Sequence, residues 1–150
     1  FYGRAAPSMP YLAAKDPAHR LYPDEVAARA VVDQWSYWQS IHLGPAMQRV
    51  GFERVLKRKF GMGEPDESLI ESSVTDTEAL LEILDTGLAG REWITGALSL
   101  ADSALARTFP LREAPRISLA TTPKVAAWIE RMEARESWKA AVAPVAAFLS

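Results

Sequence analysis

Apolar residues recur along this chain at three- and four-residue steps in several separate stretches, and nowhere alternate cleanly beyond a few positions. The clearest stretch is Ile70, Val74, Thr77, Leu81, Leu84 and Leu88. That period sets all of them on one side of a helix, predicted from about Asp66 to Leu88 and stopped by Gly87 and Gly90. Upstream, Val31, Trp35, Trp38, Ile41 or His42, Pro45, Arg49 and Phe52 keep a similar period near one face. Gly44-Pro45 interrupts it, because proline removes a helical hydrogen bond and crowds the preceding turn. Two helices, 24–43 and 45–60, are expected to meet at a kink, with Gly61, Gly63 and Pro65 closing the second. Farther on, Val125, Trp128, Ile129 and Met132 mark a face of a helix with Thr122 as N-cap and Pro123 as first residue. A last, weaker helix over about 137–148 is interrupted by Pro144.

Between these stretches stand Ser99 and Asp102, three apart, at the spacing of a capping box. A hydroxyl N-cap and an acid at N3 bond each other's backbone amides, and Asp is a shorter substitute for the usual Glu. The helix that follows, Leu100 to about Thr108, is too apolar for a surface position, so the pair reads as a structural cap and not as catalytic groups. Loss of Asp102 is then expected to cost about 1 kcal/mol or more, the range for a lost cap, without a specific effect on ligand binding. An apolar staple from Leu98 would need a partner at N4, where Ser103 stands, which weakens the cap. Before Asp24, Pro7, Pro10, Pro17 and Pro23 punctuate an arm without a sustained period, expected to be extended apart from one helical turn near Tyr11–Ala14. The predicted organisation is an arm and linker over 1–22 and one all-α domain over 23–150, a bundle of about five to six helices.

Composition narrows what such a bundle can do. The apolar and charged fractions, 49% and 24%, are those of a globular domain, and 150 residues suffice for a real core. A net charge of −2 offers no general attraction to nucleic acid or an anionic membrane, and no apolar run reaches the ~18–20 residues of a membrane span. Neither partner is expected, and cytoplasm is the default location. The chain has no cysteine, which excludes thiolate metal sites and a cysteine nucleophile. Its two histidines, His19 and His42, lie far apart without metal-ligand spacing, and no serine elbow accompanies them. His42 reads as a surface or cleft-edge residue. Arg54, Lys57, Arg58 and Lys59 sit where cations offset the negative end of a helix dipole. From Glu64 to Asp85 there are eight acids and no Lys or Arg, most simply a solvated helix face.

Four segments, in order, resemble the C-terminal all-helical domain of glutathione transferases, the bacterial type in particular. Tyr11-Leu12-Ala13 followed by Leu21-Tyr22-Pro23 is similar to the linker after that family's N-terminal domain. Gln34-Trp35-Ser36-Tyr37-Trp38-Gln39 with Leu43-Gly44-Pro45 resembles a "Gln-Trp-x-x-Trp-Gln…Leu-Gly-Pro" run. Gly96 to Asp102 resembles the capping segment of the family's central helix, and Pro123 to Trp128 the helix beyond it. The resemblance implies an electrophile cleft along the first long helix, with Trp38, His42 and Arg49 as substrate-binding residues. It also implies glutathione as co-substrate, no tightly bound cofactor, an apolar electrophile as ligand and a homodimer as a candidate assembly. The family's glutathione-holding Glu-Ser pair would fall at Arg4-Ala5, which does not reproduce it. The thioredoxin-like domain that activates the thiol is not found in these residues. The expectation is therefore a substrate-binding helical domain inactive on its own. The alternative is a non-catalytic module of the same type that binds another protein chain.

Overall fold

A computed structural model describes residues 5–111 and 117–149, and every regular element among them is helical. Helix α1 spans Ala5–Ala13. Next comes a rod, α2, over residues 26–59, made of Val26–Trp38, Gln39–Leu43, Gly44–Gly51, Phe52–Leu56 and Lys57–Lys59. Helix α3 is Glu67–Gly87, α4 is Leu100–Ala106, α5 is Pro123–Glu133 and α6 is Glu136–Leu149. A 3₁₀ turn, Phe109–Leu111, follows α4. This is the all-α bundle that the periodicity predicts, with six α-helices among the described residues.

The rod corrects the expected break. Gly44-Pro45 does not end the helix, because the turn before it widens and helical backbone runs on. The Gly44 N–H donates to the Gln39 carbonyl five residues back, a π turn, and the Lys57 N–H repeats the pattern with Phe52. The first widened turn lies where Pro45 withholds a donor, so helical backbone continues through the proline. Each π turn uses about one extra residue, which rotates everything beyond it by roughly 100° against a regular helix. The buried stripe is consequently Val32, Leu43, Ala46, Met47 and Val50, while Val31 and Arg49 are exposed and Pro45 and Phe52 only half-buried.

The rod packs most extensively on α3 and, along its first half, on α4. The face of α3 is Ile70, Ser73, Thr77, Leu81, Leu84 and Leu88; Val74 is half-buried, and Ser73 takes the inner position beside the rod. The centre of the core is Trp128 of α5, fully buried with its ring edge-on to Phe109 at 5.6 Å. Asp66 caps α3, accepting the Leu69 N–H at 3.0 Å. Buried Glu53 ties the rod to that cap by accepting the Asp66 N–H at 2.8 Å and the Lys57 ammonium at 2.9 Å. The Asp66 amide, then Lys57, hold its carboxyl below the ordinary glutamate value.

Three further expectations change. The arm is helical from Ala5 to Ala13, not extended, because Met9 and buried Ala13 dock on the core and outweigh Pro10. Thr122 caps α5 in position only, its side chain bonding no α5 amide; Asp85 of α3 supplies the cap. Helix α6 runs through Pro144, since Ala140, four residues back, is exposed and water can satisfy the carbonyl that proline leaves free. Arg4 and Pro115 lie outside the described residues.

Gly87 is required by contact. A Cβ there would lie 2.6 and 2.7 Å from the Trp35 ring carbons Cζ2 and Cη2 and 3.1 Å from Ile94 Cδ1. Gly87→Ala gains about 1 kcal/mol of helix propensity but meets an overpacking cost of about 1–3 kcal/mol. A net loss of about 1 kcal/mol in urea unfolding is expected; a raised midpoint would show that the indole yields without cost.

Candidate functional site

The resemblance directs attention to the outer side of the rod. Trp35 and Trp38 meet edge to face at 5.3 Å, and Trp38 lies 6.3 Å from the His42 ring. Both indoles are half-buried against the core, while His42 and the neighbouring Tyr37 and Ile41 are exposed. Trp38 thus keeps part of its ring open at the edge of the core, with an imidazole beside it. That surface can stack an apolar group and offer it one polar neighbour.

Arg49 lies elsewhere. The structure brings Trp38 and His42 together and sets Arg49 in a groove between the rod and the start of α3, lined by Pro45, Gln48, Arg49, Phe52, Glu53 and Leu69. The π turn at 39–43 accounts for the separation, since it rotates position 49 off the line through 38 and 42. The groove has a volume of about 370 Å³, within the range of small-molecule sites. Its floor is apolar, from Pro45, Phe52 and Leu69, and Arg49 is exposed at its rim.

A second, narrower crevice lies between α1, α2 and α4, with Met9, Val32 and Leu100 as walls and Asp33, Ser36 and Arg107 at its polar end. Two side chains that sequence reasoning passed over organise it. Gln39 is buried, and its Oε1 accepts Arg107 Nη2 at 2.9 Å and Ser40 Oγ at 3.2 Å. Asp33 accepts the Tyr22 hydroxyl at 3.0 Å, joining linker to rod. Burial, then the Asp33 bond, raise the Tyr22 hydroxyl above the usual tyrosine value. The second Gln of the Gln-Trp-x-x-Trp-Gln run was the available signal for Gln39; Arg107, 68 positions away, had none.

Behind this surface the capping box is closed as its spacing predicts. Asp102 is fully buried and bonds more than its own helix: Oδ2 accepts the Ser99 N–H at 2.9 Å and the Ser99 hydroxyl at 3.0 Å. Its Oδ1 accepts the Ile94 N–H and the Trp128 indole N–H, both at 3.0 Å. With about four acceptor directions available to a carboxylate, none is left for a substrate. No group of His, Asp and Glu suited to a metal ion occurs among the described residues. Nor is any described helix long and apolar enough to cross a membrane.

Comparison with known proteins agrees with the fold. Residues 41–136 match the family model described as glutathione S-transferase, C-terminal domain. The chain is similar to a probable glutathione S-transferase, GSTF2, of Oryza sativa subsp. japonica, with 28% identity over 130 residues, 85% of this chain and 60% of that protein. It is also similar to glutathione S-transferase theta-3 of Mus musculus, with 29% identity over 125 residues, 80% of this chain and 51% of that protein. The chain thus spans between half and two-thirds of the length of these relatives. Among solved structures, the theta class enzyme of Xanthomonas axonopodis pv. citri with glutathione bound superposes with a TM-score of 0.82. That match has 24% identity and covers 94% of this chain and 67% of that one, so it speaks for the fold. With the helix order, the closed capping box and a family model matching well over half its residues, the chain belongs to the glutathione S-transferase C-terminal domain family.

Proposed function

We propose that this chain forms the electrophile-side half of a glutathione-conjugating site. The observation that carries the reading is the Trp38–His42 pair, a partly open indole beside an exposed imidazole, on the helix that the resemblance places at the electrophile cleft. An apolar electrophile packs against Trp38 beside the His42 imidazole, while Arg49 lines a separate groove. The attacking sulfur is that of glutathione, since the chain carries no cysteine of its own to supply one. Its thiolate forms a carbon–sulfur bond while the leaving group departs with its electron pair. The group that ionises the thiol belongs to a thioredoxin-like domain working with this one, and we place the assembly in the cytoplasm. Glutathione-bound neighbours support the co-substrate, one holding glutathione and another lactoylglutathione.

Calorimetric titration tests this. The chain is expected to bind S-hexylglutathione through its alkyl arm and glutathione far more weakly. Trp38→Ala should weaken the conjugate by about five- to tenfold, the loss of one partly buried aromatic contact. Binding of neither compound, or of both equally, overturns the electrophile-side assignment.

A further inference from the structure

The loop that joins α3 to α4 gathers two cations around an indole. Trp93, half-buried in that loop, packs against the core. The guanidinium carbons of Arg131 and Arg135, residues about one turn apart, lie 5.9 and 6.0 Å from its ring centroid. Arg131 reaches the loop by donating Nη2 to the Glu92 carbonyl at 2.8 Å. In that pose its Nε is buried without a hydrogen-bond partner among the described residues, a cost that calls for an explanation. Arg135 is exposed, and neither arginine forms an ion pair among the described residues. The helix dipole accounts for Arg131, which stands in the last turn of α5. It does not account for Arg135, which lies between the negative end of α5 and the positive end of α6, where the two fields oppose. Two like charges are thus held at one ring with no acid to balance them, although they repel each other.

We propose that Arg131, Arg135 and Trp93 bind a small phosphate monoester carried on an aromatic ring, the phosphate bridging the two guanidiniums and the ring lying on the open part of the indole. A phosphate monoester carries close to two negative charges near neutral pH and three strong acceptor oxygens, which matches two unbalanced cations. A carboxylate or a sulfonate brings one charge and leaves half of the pair unbalanced. Arginine suits this anion because its planar fork meets phosphate oxygens with parallel hydrogen bonds. The Arg135 fork is open on both edges, whereas Arg131 has one Nη already committed to Glu92 and contributes the other. A ring stacked on Trp93 adds an aromatic contact that inorganic phosphate cannot make. None of these residues belongs to the Trp38–His42 surface or to the Arg49 groove, so the site stands apart from the conjugation reading.

The test follows the indole N–H signals of the ¹⁵N-labelled full chain, which has five tryptophans, with the Trp93 signal identified by its loss in Trp93→Phe. Phenyl phosphate, benzenesulfonate, phenol and inorganic phosphate are titrated separately at constant ionic strength. Phenyl phosphate is expected to move the Trp93 signal saturably, with each of the other three at least about threefold weaker. Arg135→Gln, at an exposed position, should weaken phenyl phosphate about three- to fivefold, and Arg135→Lys should restore part of the loss. Arg20→Gln, which removes the same charge from the linker, should leave the midpoint where it is. A Trp93 signal that phenyl phosphate does not move overturns the proposal, as does an equal response to phenol or benzenesulfonate. So does equal weakening by Arg135→Gln and Arg20→Gln. Inorganic phosphate binding as tightly as the ester would overturn the place given to the ring. A phosphotyrosine peptide that binds more tightly than phenyl phosphate would overturn the assignment to a small molecule.

Discussion

Replacing Asp102 with alanine is expected to destabilise the chain by about 3–5 kcal/mol, among the largest effects a single side chain can have here. The spacing alone predicts about 1 kcal/mol, the value of a lost cap. The structure raises it because the same carboxylate also accepts the Ile94 N–H and the Trp128 indole N–H, each at 3.0 Å. Alanine leaves these donors and the Ser99 N–H unpaired in a fully buried site, and each such group costs about 1–3 kcal/mol. Against a typical domain stability of about 5–15 kcal/mol, the variant should unfold at a far lower urea concentration. Asp102→Asn separates the parts. Its Oδ1 can still serve Ile94 and Trp128, but its amide meets the Ser99 N–H donor to donor, so a smaller loss of about 1–2 kcal/mol is expected. Folded Asp102→Asn should bind S-hexylglutathione as the parent does, because the residue is fully buried and lines neither of the two grooves described. Near-equal stability of the parent and the alanine variant in urea would show that the network is not the keystone its burial suggests.

The contrast between spacing and structure at Asp102 recurs through the molecule. What lies within one helical turn is legible in the chain: the Ser99–Asp102 box, the Val125, Trp128, Ile129 and Met132 face, and the period that builds α3. What depends on a partner from another element is not. Nothing near Trp128 in sequence says that its indole nitrogen seeks a carboxylate 26 residues earlier. The rod shows a second limit. A π turn changes the local period by one residue, so a face drawn with 3.6 residues per turn drifts off the real one beyond Gln39. Gly44-Pro45 signals a disturbance but is equally compatible with a break, and the widened turn that carries the helix past it has no signature in the local period. The candidate site inherits that drift. Trp38, just before the first π turn, lies beside His42 within it, whereas Arg49 lies past it and lines a different groove.

Asp85 is the second site of large effect, and the one where composition misled most. It ends a stretch that reads as a solvated acidic face, yet it is buried where α3 meets α5. Its Oδ1 accepts the Lys124 N–H at 2.7 Å and the Val125 N–H at 3.2 Å, and its Oδ2 meets the Lys124 ammonium at 2.6 Å. It thus does for α5 what Thr122 was expected to do, from 39 residues away. Asp85→Ala should cost about 2–3 kcal/mol, since two amides at a helix start lose their acceptor inside an interface. Lys124→Met should cost less than about 1 kcal/mol, because the ammonium is half exposed and such pairs contribute little. The effect carries a pH signature. Burial alone would raise the Asp85 carboxyl, but the Lys124 side-chain bond and the Val125 and Lys124 amides outweigh it and hold the folded value below the ordinary one. A group lowered on folding contributes its stability above its unfolded pKa, about 3.9 for aspartate, and loses it as pH falls through the folded value. The stability gap between parent and Asp85→Ala is therefore expected to be constant from about pH 5 to 8 and to narrow below about pH 4. Asp85→Asn, which keeps the acceptor for the amides but carries no charge, should lie between the two and show no such narrowing against Asp85→Ala. A gap that persists unchanged into acid would mean that packing, and not the ionised carboxylate, holds α5 against α3.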